Sequence, residues 1–301
     1  MPRFDILRLL GTPPKFDLAH KYVTSPFFRS PFILAAIRLS IAVFTLVTLI
    51  VVLVWEATKL NEGGSFFSYF TFLSYIGICS YYWASGTQTL AYALKWRRSG
   101  AGVGYPLQRW PRILQALHVV LQSSVVNFPI IVTVVFWSLL SGPDTLSTTF
   151  FAYENISVHA LNTVFLLIEV FLTNSPPAPW LTLVFNILFL AGYLGVAYIT
   201  HATQGFYTYS FLNTSVEGAK TAAYIIGILI GEIIVFVLVR GVVVLRERWA
   251  VKSGRVMDVG SDVSSDKAAS SEGLGDMDDD WEEVRMPDNY AQRSPSKHVD
   301  A

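Results

Sequence analysis

The chain has little of what a soluble or secreted domain relies on. Only 15% of its 301 residues are charged, and it holds a single cysteine, Cys79. One cysteine excludes an intrachain disulfide and any cysteine-built metal cluster. No nucleic-acid partner is expected. No cleavable leader is expected, because the apolar patch from Ile6 to Leu10 is short and is interrupted by Arg8. No motif asks for a metal or an organic cofactor.

What is present is apolar length. Hydrophobic residues make up 52% of the chain and aromatics 14%. Six apolar segments lie at 32–54, 66–94, 113–140, 156–173, 180–200 and 222–245. Each is near or above the ~20 residues that a helix needs to cross a bilayer. Thr173-Asn174-Ser175-Pro176-Pro177-Ala178-Pro179 separates the fourth from the fifth, and so proline-rich a stretch cannot continue a helix. The expected fold is therefore all-α and polytopic. A basic arm covers 1–31, a six-helix membrane domain 32–248, and an acidic tail 249–301. Before residue 251 there are 16 Lys/Arg against 10 Asp/Glu, and after it 6 against 12, so the zero net charge is +6 offset by −6. The tail's Ser, Asp, Gly and Glu content reads as disordered.

Positive charge sets the orientation. The arm carries five Lys/Arg, the 95–112 loop another five, and Arg246, Arg248, Lys252 and Arg255 follow the last segment. The alternate loops carry Lys59, nothing, and Lys220. Six crossings with both termini cytosolic satisfy these counts.

Polar groups inside the apolar segments are then the informative residues. His159, Asn162 and Glu169 share one helical face with Leu166. Taking the segments as bounded above, Thr71 lies about five residues deep from the outer side, His159 about three, and His201 at the same border. Asn162, one turn from His159, can orient it or bond across helices. His118 and Glu169 fall toward the cytosolic side, which separates them from that group and leaves a bis-histidine haem site weakly supported. Glu232, near the middle of the last segment, needs a partner or a proton, whereas Arg38 and Arg240 can snorkel.

The Gly63-Gly64 and Ser68-Tyr69-Phe70-Thr71-Phe72-Leu73 stretch, the spacing from His159 to Ile168-Glu169, Phe136-Trp137, and the run His201, Gly205-Phe206-Tyr207, Tyr209-Ser210-Phe211-Leu212 together resemble the androgen-induced membrane protein family. That family includes the androgen-dependent regulators of tissue factor pathway inhibitor. The resemblance implies a six-span hydrolase of fatty acid esters of hydroxy fatty acids, with Thr71 as nucleophile and His159 as base. A histidine is the natural base at neutral pH for a hydroxyl that is otherwise a poor nucleophile. Asn162 and His201 are candidate supporting groups. The substrate is then a membrane lipid, and the setting an endomembrane such as the endoplasmic reticulum, or the plasma membrane. The competing class is a transporter or channel whose polar pathway uses the same His, Asn and Glu residues, although no internal repeat supports it.

In the tail, Trp281 and Val284 stand three apart beside Asp278-Asp279-Asp280. This resembles the short motif that autophagy ubiquitin-like proteins take up as an added strand, against the simpler reading of a solvated acidic run. Single cysteines placed in the 95–112 and 201–221 loops should react with an impermeant thiol reagent from opposite sides of a sealed membrane. Labelling from one side alone contradicts the topology.

Overall fold

The computed structural model describes residues 5–100 and 103–254, and the tail motif at Trp281 and Val284 lies outside them. The described residues are helical with no strand. Helix α1 is Pro31–Trp55, α2 Phe70–Ser99, α3 Arg112–Val125, α4 Phe128–Val135, α5 Thr149–Ile156, α6 Asn162–Leu172, α7 Trp180–Gln204 and α8 Lys220–Lys252. One wide π-helical turn, Glu56–Leu60, extends α1, another, Phe136–Leu140, extends α4, and a third, Ser157–Leu161, joins α5 to α6.

Five of the resulting rods are long and apolar enough to cross a membrane: 31–60, 112–140, 149–172, 180–204 and 220–252. Their polarity is inverted relative to a soluble protein. On α1 the buried stripe Leu34, Arg38, Ile41, Thr45, Thr48, Val52 includes a charge and two hydroxyls, while the exposed side is Ile33, Val43, Val47, Ile50 and Val54. Lipid cannot accept a hydrogen bond, so polar groups turn inward and aliphatic ones outward. Helix α8 follows the same rule with Glu232, Phe236, Val239, Val243, Arg246 and Ala250 along one buried stripe.

The remaining expected segment, the second, is α2, a 30-residue helix that falls outside that set. It is the central helix and is buried on more than one side, through Tyr75, Tyr81, Tyr82, Ser85, Gln88 and Thr89. Its composition is that of a polar-seamed core rather than of a lipid-facing rod. It packs closely along α1: a Cβ on Gly86 would stand 2.8 Å from a Leu39 methyl.

Three expectations change. The third segment is broken at Val126-Asn127, because Pro129 has no amide to give and its ring crowds the preceding turn. The fourth begins at Thr149 rather than 156, since the Thr148 side chain caps the helix through the Phe151 amide. Hydropathy misses that turn because Tyr153, Glu154 and Asn155 are polar. Arg38 does not snorkel. It is fully buried and forms a two-pronged pair with Glu169, Nη2 to Oε1 at 2.5 Å and Nε to Oε2 at 3.2 Å.

That pair gathers the bundle. The other Arg38 nitrogen donates to the Tyr22 carbonyl and to Thr89 Oγ1, each at 2.7 Å. Glu169 also accepts from the Tyr81 hydroxyl at 2.6 Å and from Ser175 at 3.2 Å. The basic arm is likewise docked onto the protein, with Arg112 on Asp5 at 2.7 Å and Lys21 on Glu247 at 2.6 Å. Leaving one buried charge unpaired costs roughly 3–5 kcal/mol. Glu169→Met and Arg38→Met should each destabilise the bundle by about that much, and the double variant by less than the sum. Additive losses in chemical denaturation contradict this coupling.

Candidate active site at one end of the bundle

Thr71 is the second residue of α2. The chain reaches it through a single 3-10 turn, Phe66–Ser68, and an extended Tyr69. Several helix threonines spend their hydroxyls on the carbonyl four residues back, as Thr45 does on Ile41, Thr87 on Trp83 and Thr89 on Ser85, while Thr48, Thr133 and Thr200 bond groups on other elements. Thr71 makes no such bond, because no helical turn precedes it. Its side chain is 8% exposed and interacts with the hydroxyl of Tyr209.

His159 sits in the π-helical turn between α5 and α6, 7% exposed. Its position is ten residues, about 15 Å, into the rod that starts at Thr149. The helix thus extends further beyond His159 than the expected segment boundary at 156. The wide turn leaves the His159 carbonyl available to outside donors, and both Thr133 Oγ1 at 2.7 Å and Trp137 Nε1 at 3.1 Å take it. The imidazole lies flat on Phe136, with ring centres 3.5 Å apart and planes 4° apart. Its Nδ1 is buried and has no hydrogen-bond partner. Backbone and ring are thus fixed while a nitrogen is left uncommitted.

The two residues flank one core. Phe72, next to Thr71, and Val158, next to His159, belong to the same buried cluster with Phe66, Tyr75 and Phe165. No hydrogen bond joins Thr71 to His159. Catalytic contacts in substrate-free enzymes are commonly longer than in the reacting complex.

A family model described as FAR-17a/AIG1-like protein matches residues 35–242. The chain belongs to this family. The match takes in both candidate residues and every helix from α2 to α7 in full. No curated relative and no solved structure matches the chain. Membership of the FAR-17a/AIG1-like family is consistent with a membrane hydrolase.

The other expected site residues of this FAR-17a/AIG1-like chain are placed differently. Asn162 Oδ1 accepts from the Thr163 amide at 2.6 Å and lies 3.0 Å from the Thr133 hydroxyl. It ties α6 to α4 and reaches His159 only through Thr133. His201 stacks on Tyr207 with ring centres 3.8 Å apart and meets neither Thr71 nor His159. Glu169 is committed to Arg38 and holds the bundle together.

Sequence reasoning passed over Tyr193, and named Trp137 and Tyr209 as motif residues without giving them a role. Tyr193 donates to the Ser68 carbonyl at 3.0 Å and so fixes the chain just before Thr71. Thr200 adds a bond to Ser68 Oγ at 3.0 Å. Tyr209 follows a loop that turns at Gly205, whose φ of +80° closes α7. The Phe136-Trp137 and Tyr207 to Tyr209 motifs were visible as residues. What they touch required the fold.

Proposed function

We propose that this protein is an intramembrane hydrolase of lipid esters, with Thr71 as nucleophile and His159 as general base, spanning the membrane six times with both termini in the cytosol. The observation that carries the reading is Thr71 itself. It is a buried threonine at the start of the central helix, with no preceding turn of helix to take its hydroxyl, on the same core as a histidine with an unpartnered nitrogen.

The chemistry runs through this chain's own atoms. Thr71 Oγ1 attacks the ester carbonyl carbon as His159 takes its proton. The tetrahedral intermediate collapses, the C–O bond to the alcohol breaks, and His159 returns the proton to the leaving oxygen. Water repeats the sequence and frees Thr71 from the acyl group. Fatty acid esters of hydroxy fatty acids are the substrate class that the family resemblance favours, entering laterally from an endomembrane or plasma membrane bilayer.

A transport reading draws on one feature. Glu232 and Asn186 are fully buried, with Asn186 Nδ2 donating to Glu232 Oε1 at 2.9 Å, and Glu232 Oε2 has no partner. Against it, the stripe that suggested a pathway is divided: Asn162 is bonded to Thr163, and Glu169 is locked to Arg38. Purified protein should cleave a panel of hydroxy-fatty-acid esters. Thr71→Ala should abolish turnover, and His159→Ala should lower it by roughly 10²–10⁴-fold. Full hydrolysis by both variants, or proton-coupled solute flux without hydrolysis, contradicts the assignment.

A further inference from the structure

We propose that the Tyr209 hydroxyl is a catalytic donor in this site, hydrogen-bonding the ester oxygen that becomes negative when Thr71 attacks. The inference rests on the reading of Thr71 as nucleophile and supplies the part which that reading lacks, a group that stabilises the oxyanion.

The position of Tyr209 is built by its neighbours. Its backbone is extended, and the next residues form a short turn whose Phe211 and Leu212 are buried with Ala197. Its ring is parallel to Phe211 at 5.3 Å, edge-on to Tyr69 at 5.9 Å, and 6.1 Å from Tyr193. Three rings from three parts of the chain therefore set its direction. The same apolar cluster includes Tyr193 and Val135, and the residue after Val135 is the Phe136 that carries the His159 ring.

The hydroxyl has polar neighbours at the start of α2. They are the Thr71 side chain, the Tyr193 hydroxyl, and the backbone amides of Thr71 and Phe70. Those two amides open α2, and the first helical bond is from the Leu73 amide to the Tyr69 carbonyl. Neither therefore has a carbonyl within its own helix. The Tyr209 hydroxyl thus stands beside amides that have no helical partner of their own. Burial raises the pKa of Tyr209, and the Thr71, Tyr193 and amide contacts only partly offset it. The group stays protonated at neutral pH, as a hydrogen-bond donor must.

During the reaction the carbonyl π pair moves onto oxygen as Thr71 Oγ1 bonds to carbon. Tyr209 donates a hydrogen bond to that oxygen and keeps its proton, while the transferred proton passes between Thr71, His159 and the leaving alcohol. A structural alternative is that Tyr209 only caps α2. The two differ in what they predict for rate at constant fold.

The test compares full-length protein carrying Tyr209→Phe, 3-fluorotyrosine at 209, and Thr71→Ala. Losing one oxyanion donor lowers kcat by roughly 10²–10³-fold. Tyr209→Phe should show that loss with little change in KM and a melting temperature close to the parent. Fluorotyrosine keeps every contact but makes the phenol more acidic, so kcat should shift while the melting temperature does not. This second variant decides the matter even where Phe at 209 prevents folding. If both leave kcat within about threefold while Thr71→Ala is inactive, the tyrosine assignment is wrong and the hydrolase reading stands. If Thr71→Ala is itself active, both fall together.

Discussion

The bundle depends on one buried charge pair. Arg38 and Glu169 are almost wholly shielded, and each is hydrogen-bonded by groups from elsewhere in the chain. Through them the arm at Tyr22, helices α1, α2 and α6, and the turn at Ser175 meet at one point. In an apolar surrounding neither charge tolerates losing the other. The pair therefore fixes the rotation of α1 and α6 about the central α2, and with it which face of each helix points inward. Arg246 adds to this end by donating to the Val170 and Ser175 carbonyls.

From that anchored end the same helices run to the candidate site. Helix α2 presents Thr71 at its first turn, and the rod formed by α5 and α6 presents His159 where it widens. The arrangement has a chemical logic. A threonine within a helix can bond the carbonyl one turn back, as Thr45 and Thr89 do, and a histidine in a regular helix has its carbonyl bonded four residues ahead. Here the helix start frees one hydroxyl, and the π-helical turn turns one carbonyl outward to Thr133 and Trp137. Both departures from regular helix fall at the residues that the chemistry needs.

Much of this was legible in the sequence, for identifiable reasons. Long apolar runs give the helices, and the Pro176-Pro177 turn gives the boundary between α6 and α7. A glutamate in such a run needs a partner, and Glu169 finds Arg38. The family match over 35–242 follows from residues spread along those runs. Hydropathy failed where polarity and helix coexist. It began the His159 rod about two turns late, at 156 rather than Thr149, past the polar Tyr153-Glu154-Asn155. It also let Arg38 reach for water when its partner lay 131 positions away. The contacts of Tyr209 and Phe136 depend on helix rotation, which spacing within one segment does not encode.

Trapping the nucleophile tests the central claim most directly. A lipid-tailed fluorophosphonate, reacted with the purified protein and followed by peptide mapping, should leave its adduct on Thr71, and Thr71→Ala should remain unlabelled. An adduct on any other residue, still formed in Thr71→Ala, would contradict the account.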